Sequence, residues 1–216
     1  MTDTQTPSTY ASKAAVTRAP IHDLLATRWS SRAFSDEPVS PDTVLSLMEA
    51  ARWSPSSNNE QPWRFIVATR DDADAHAKLV QGINAGNQRW ATKAWILMIG
   101  IARDHFDVDG QPANRFAQYD TGQAVQSIIV QATSLGLNVR QMGGILPDRI
   151  RELYAVPDGY TIMAGIAIGY PGDSDSLASP MNEREHLPRT RRALSDLFFE
   201  NSFGQVHPLT ASDELP

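Results

Sequence analysis

Residues 94–102, Ala-Trp-Ile-Leu-Met-Ile-Gly-Ile-Ala, form the longest apolar run of the chain. A membrane-spanning helix needs roughly 20 such residues, about twice what this run provides, so it reads as a buried strand. A strand of this kind needs apolar cover. Residues 116–135 offer it as a long, weakly polar helix that stops at Gly136, a glycine in the usual place just past a helix end.

The rest of the chain is punctuated in the same way. Ile21, Leu24 and Leu25 predict a short helix over 21–30, so that Arg28, Ser30 and Arg32 fall at its exit. Ser40, Pro41 and Asp42 form a strong helix start, with Val44, Leu45, Met48 and Ala51 as the apolar face and an end near Trp53. Residues 54–62 read as a polar loop and 63–69 as a strand, so Asn59 sits on a loop entering a sheet. A helix is expected over 71–81, a mobile loop over 82–91, extended chain over 137–140 and a short helix opening at Pro147. Residues 160–170 form a core strand, in which Gly165 and Gly169 allow close packing. Beyond Pro171 the chain is irregular, with a last strand expected over 193–199. Two helices come before the first strand, which favours an α+β sandwich over a doubly wound sheet, and no Gly-x-Gly-x-x-Gly follows a strand. The expected division is a flexible arm at 1–19, one domain at 20–200 and a tail at 201–216.

Composition excludes several chemistries. The chain has no cysteine, which removes disulfides, thiolate metal ligands, a cysteine nucleophile and a redox thiol pair, so redox chemistry would need a borrowed cofactor. A net charge of −6 disfavours non-specific nucleic-acid binding, and any anion must sit in a local basic pocket. His22, His76, His105, His186 and His207 show no ligand spacing, so no metal site is expected. No Ser-His-Asp or paired-carboxylate pattern stands out, and the N-terminus lacks the apolar core of a secretion signal.

Four segments could carry chemistry. In Arg28-Trp29-Ser30-Ser31-Arg32 two guanidiniums and a hydroxyl suit phosphate oxygens, although a solvated basic turn has the same composition. Residues 54–65, Ser-Pro-Ser-Ser-Asn-Asn-Glu-Gln-Pro-Trp-Arg-Phe, cluster side-chain amides whose paired donors and acceptors match the edge of a planar heterocycle. An ordinary turn-rich loop is the alternative. Gln141-Met142-Gly143-Gly144 lets main-chain N–H groups approach a ring with no Cβ in the way, or is a plain turn. Arg189, Arg191 and Arg192 form a second basic cluster, or a solvated run.

Taken together and in this order, with Ala-Ile-Gly-Tyr-Pro-Gly at 167–172, these segments resemble the nitroreductase family over about residues 21–200. The resemblance implies an α+β fold, an α/β/α sandwich on a central mixed, mostly antiparallel sheet. It also implies a homodimer with two FMN sites at the subunit interface and a cytoplasmic location. By position, Arg28 and Ser30, with Trp29 between them, would hold the FMN phosphate, joined by Arg189 and Arg191. Arg32 and Asn59 would take the pyrimidine side, where a cation stabilises reduced flavin. Gln141, Met142, Gly143 and Gly144 would face the reactive edge. Glu60 stands where the family usually has a small or neutral residue and is expected to point to solvent. The implied activity is hydride transfer from NADH or NADPH, through the flavin, to a small electrophile such as a nitroaromatic or quinone, in ping-pong fashion and with no catalytic side chain. Two other readings stay open: a dehalogenating or flavin-fragmenting branch, with 82–91 and Trp90 as a lid if that tryptophan is not core, and a non-enzymatic FMN-binding protein.

Overall fold

Alternation along one strand sets the layering of the larger part of the molecule. In β2 (Ile96–Arg103) the side chains of Ile96 and Met98 enter one apolar cluster, and those of Leu97, Ile99 and Ile101 enter another, so the strand is covered on both faces. The structure, a computed structural model, describes residues 13–106 and 113–212. They divide into two units, Arg28–Glu185 and the two flanking segments, residues 13–27 and 186–212.

In the Arg28–Glu185 unit, β2 pairs with β1 (Trp63–Thr69) on one side and β4 (Tyr160–Gly169) on the other. β4 in turn pairs with β3 (Asn138–Met142), giving the order β1-β2-β4-β3. All three ladders among the described residues are antiparallel. On one face lie α2 (Pro41–Arg52) and α5 (Ala117–Ser134), which bury Val44, Leu47, Ala51, Ala124 and Ile128 against Ile96, Met98, Ile166 and Ile168. On the other lie α3 (Ala73–Val80), α4 (Ala85–Ala91) and α6 (Pro147–Tyr154), which contribute Leu79, Trp90 and Ile150. The result is the expected α/β/α sandwich.

Local signals act as read at most boundaries. The Ser40 hydroxyl accepts from the Thr43 N–H at 3.1 Å and caps α2, and α5 runs out into Gly136 at φ +74°, a left-handed turn that glycine adopts without strain. Gly165 has no room for a Cβ, because an added one would lie 2.9 Å from Met142 Cγ.

Three expectations are corrected. Residues 82–91 are not a loop: Asn84 caps α4 by accepting from the Asn87 N–H at 3.0 Å, and Trp90 is a core side chain with 1% exposure. A lid built on Trp90 therefore loses its support. The buried face of α2 is Val44, Leu47 and Ala51, while Leu45 and Met48 are exposed. Residues 193–199 form no strand. Leu194–Asp196 is a 3₁₀ turn closed by the Asp196 N–H on the Ala193 carbonyl, and Phe199 meets Val206 only in an isolated bridge.

The flanking unit holds α1 (Asp23–Thr27), a shorter helix than 21–30. Of the expected arm, residues 1–12 lie outside the described residues. From residue 13 the chain is tied within its unit: Lys13 Nζ donates to the Leu187 carbonyl at 2.6 Å, and the Ala15 N–H donates to the Ala26 carbonyl at 2.9 Å. Of the expected tail, residues 213–216 are likewise outside the described residues.

Candidate functional site

The Arg28–Arg32 turn follows α1 directly and is shaped from within. Ser31 is buried and its hydroxyl accepts from the Ala33 N–H at 2.9 Å. Arg28 Nη1 donates to the Ser30 hydroxyl at 2.8 Å, so a guanidinium and a hydroxyl stand side by side. Arg32 Nη1 pairs with Glu185 Oε1 at 3.0 Å, and the Trp29 indole N–H donates to Glu185 Oε2 at 3.2 Å. Glu185 lies on α7 (Met181–His186). Arg140, from β3, donates to the Ser30 carbonyl, and its guanidinium sits 5.4 Å from the centroid of the Trp90 ring. Burial pushes the Arg140 guanidinium down to about 10; neighbouring Arg32 adds to the fall, and Glu185 opposes it. Glu185 and Arg140 were not singled out from sequence. Arg140 had a signal, a cation within a segment read as extended chain, whereas Glu185 had none.

The loop at 54–62 is held under strain. Asn58, Asn59 and Gln61 have φ of 51°, 56° and 47°, left-handed conformations that cost most residues energy and that asparagine tolerates best. Four anchors hold it there. The Ser57 N–H donates to buried Asp120 at 3.0 Å, and the Gln61 N–H to the Ser56 hydroxyl at 2.9 Å. The Gln61 side chain donates to the Asn59 carbonyl at 3.0 Å, and the Ser54 and Ser127 hydroxyls meet at 2.6 Å. Asn59 itself is exposed, and among the described residues no hydrogen bond holds its side-chain amide. With Arg52, Trp53, Ser54 and Gln61 it lines an open cleft.

The expectation for Glu60 is corrected. Its carboxylate does not point to solvent but pairs with Arg103 at 3.3 Å, and Arg103 also donates to the Glu60 carbonyl at 3.3 Å. Arg103 ends the buried strand β2 and is 4% exposed, so a counter-charge there offsets the cost of burying a guanidinium. Pro62 and Trp63 shape the start of the strand: the Pro62 carbonyl accepts from the Arg103 N–H, and Trp63 opens β1 and is buried.

At the end of β3 the two glycines differ. A Cβ on Gly144 would lie 2.4 Å from Asn87 Nδ2 and 2.5 Å from Asn84 Nδ2, so Gly144 serves the packing of α4. A Cβ on Gly143 would meet nothing within 4 Å. Both glycine carbonyls are already engaged, Gly143 by the Ile145 N–H and Gly144 by the Asn84 N–H and the Asn87 amide, so the turn has N–H groups rather than carbonyls to offer a ligand. Gln141 is exposed, while Met142 is buried against Gly165 and can contribute only its main chain.

Arg189 and Arg191 belong to the flanking unit. Arg189 Nη1 donates to the carbonyls of Lys13 at 2.8 Å and Ala26 at 2.6 Å, and burial, then Arg191, lowers its pKa. Arg191 is exposed and donates to the Thr190 carbonyl.

The chemistry of this set is donor-rich: guanidiniums, a hydroxyl, an exposed amide and main-chain N–H groups. Guanidinium and hydroxyl donors suit an anion, and amide and main-chain N–H donors suit the carbonyls of a planar ring. Among the described residues no group of three or more His, Asp or Glu side chains could hold a metal, and no helix is long and apolar enough to cross a membrane. The Arg28–Glu185 unit is thus an α+β sandwich whose Arg28–Arg32 turn gathers guanidiniums and a hydroxyl suited to an anion. Residues 25–170 match the Nitroreductase family, and the chain belongs to it. A solved structure described as the oxidoreductase containing FMN is 38% identical, with a TM-score of 0.83, and the match covers 88% of this chain and 96% of that one. A nitroreductase family protein from Clostridium difficile 630 shares the fold at 24% identity and a TM-score of 0.64, over 83% and 97% of the two chains. The FMN reductase [NAD(P)H] of Bacillus subtilis strain 168 is 28% identical over 160 residues, 67% of this chain and 63% of that protein.

Proposed function

We propose that the chain is an FMN-dependent oxidoreductase that takes hydride from NADH or NADPH and passes it to a small electrophile such as a nitroaromatic or a quinone. The observation that carries this reading is the pairing of the Arg28 guanidinium with the Ser30 hydroxyl, beside Arg32, in a protein that is acidic as a whole. The similar oxidoreductase containing FMN and the similar FMN reductase support it.

In this reading Arg28 and Ser30, flanked by Trp29, bind the FMN phosphate, with Arg191 and Arg189 as further cations. The Arg189 guanidinium also holds two main-chain carbonyls, so Arg191 is the freer of the pair. Arg32 and Asn59 bind the pyrimidine side. The exposed Asn59 amide on a strained, four-point-anchored loop is pre-organised for such a contact, which lowers the entropy lost on binding. The N–H groups of Gly143 and Gly144 orient the reactive edge, flanked by Gln141 and the main chain of Met142. When bound, FMN supplies the two-electron chemistry. The protein contributes position and charge, and no side chain acts as acid or base. Donor and acceptor use the same place in turn, which gives ping-pong kinetics. A homodimer with its sites at the interface accords with the apolar residues that α2 leaves exposed, Leu45, Met48 and the following Trp53, the last 79% exposed.

The test is an absorbance spectrum of the purified protein, followed anaerobically as NADH and then NADPH is added. Flavin bands that bleach with one of them are expected. Alanine variants at Arg28, Asn59 and Arg191 are expected to lose FMN content; full content in all three would overturn the site assignment.

A further inference from the structure

The Arg28–Arg32 turn carries a buried charge cluster that phosphate or pyrimidine binding does not by itself require. Glu185 is 1% exposed at its side chain, and each of its oxygens has a partner on the turn, Arg32 at 3.0 Å and the Trp29 indole at 3.2 Å. Arg140 lies in the same electrostatic neighbourhood, held by the Ser30 carbonyl and the face of Trp90. The carboxylate thus pairs directly with Arg32, while Arg140, tied to the same turn through Ser30, adds a further positive charge.

We propose that Glu185 is a positioning residue that fixes Arg32 and sets the strength of the positive field Arg32 presents, and so sets the redox potential of the bound cofactor. The inference rests on the reading that Arg32 lies at the pyrimidine side of FMN. Its physical basis is the weak screening of buried charges. Water screens such charges poorly, so removing one of them is felt at its neighbours. A cation beside the ring stabilises the added negative charge of the reduced cofactor. Glu185 works against that effect, and Arg140 works with it. The carboxylate therefore holds the potential below the value two uncompensated arginines would impose, while the same ion pair keeps Arg32 in place.

The experiment compares wild-type holoprotein with Glu185→Gln, Arg140→Met and Arg32→Gln. Each is equilibrated with dyes of known potential under anaerobic conditions, and FMN affinity is measured separately by fluorescence quenching. Glu185→Gln keeps the shape and removes the charge. Its expected result is weaker binding of oxidised FMN together with a shift to more positive potential. The affinity for reduced relative to oxidised FMN should rise on the order of tenfold, about 30 mV for a two-electron couple. Arg140→Met should shift the potential in the opposite direction. A purely structural role for Glu185 predicts weaker binding with no change in potential, and that result overturns the proposal. If Glu185→Gln retains no FMN, Arg140→Met decides: a negative shift supports the field argument, and an unchanged potential overturns it. Arg32→Gln separates this inference from the reading beneath it. Unaltered affinity and potential in that variant would remove Arg32 from the cofactor, whereas altered values alongside an unresponsive Glu185→Gln would overturn the inference alone.

Discussion

Within Arg28–Glu185 the largest buried side chains are apolar, among them Trp90, Leu47, Leu79, Met98 and Ile128, whereas in the flanking unit the buried residues are Lys13 and Thr210. The flanking unit turns its large apolar side chains outward, with Leu197, Phe198, Phe203 and Leu209 all exposed. Its internal order rests on cations that reach main-chain carbonyls: Lys13 on Leu187, Arg18 on Leu209, and Arg189 on Lys13 and Ala26. The two regions draw on different forces. Apolar burial contributes about 25 cal/mol per Å² and accumulates with area, while an intramolecular hydrogen bond contributes about 1 kcal/mol net. The flanking unit should therefore open before the sheet does.

The comparison breaks most sharply at Trp90. Trp90→Ala removes the largest fully buried side chain from the core beneath β2, and an indole lost from such a place costs roughly 3–5 kcal/mol. Urea unfolding should show a midpoint shift of that size; a loss below 1 kcal/mol, as expected for a surface site, would mean the core is misassigned. Next comes Arg189→Met. It removes the Arg189 donor from the Lys13 carbonyl and one of two donors from the Ala26 carbonyl, and should cost roughly 1–3 kcal/mol locally. Hydrogen exchange should speed up at residues 13–27 while β2 and β4 stay protected, and equal loss in both places would deny the flanking unit its separate stability.

A third, smaller effect sharpens the comparison through pH. His76 is buried and its Nε2 lies 3.1 Å from the Ala94 carbonyl; burial lowers its pKa below the usual 6.5, with nearby Arg70 also lowering it and the Ala94 carbonyl opposing. The folded state therefore holds it neutral, and acidification binds a proton more readily in the unfolded chain. The stability this supplies is complete above 6.5 and drains away as pH falls below that value toward the depressed folded one. Melting curves at pH 7.5 and 5.5 should show a fall in wild type that His76→Gln reduces. An identical fall in both would clear His76 of the effect.

What could be read from sequence followed from local physics. Ser40-Pro41 had to start a helix, Gly136 had to end one, and residues 94–102 had to be buried, because caps, left-handed turns and unbroken apolar runs act over a few residues. What could not be read involved distant partners. The apolar positions of α2 form more than one stripe, and only packing against the sheet selects Leu47 over Leu45 and Met48. Glu60 looked solvated because Arg103 lies 43 residues away. The Gly-Gly turn looked like one device, yet Gly144 answers to Asn84 and Asn87 across the fold, while Gly143 meets nothing.

The sequence by itself determined most of the helices and strands of the Arg28–Glu185 unit, the sandwich class, the family resemblance and the segments proposed to carry the site, since periodicity, capping chemistry and motif order are properties of the chain. Only the tertiary structure decided that Trp90 is core, that Glu185 and Arg140 join the Arg28–Arg32 turn, and that Arg189 clamps main-chain carbonyls. Burial and the pairing of charges depend on which distant surfaces meet, and no local spacing encodes that.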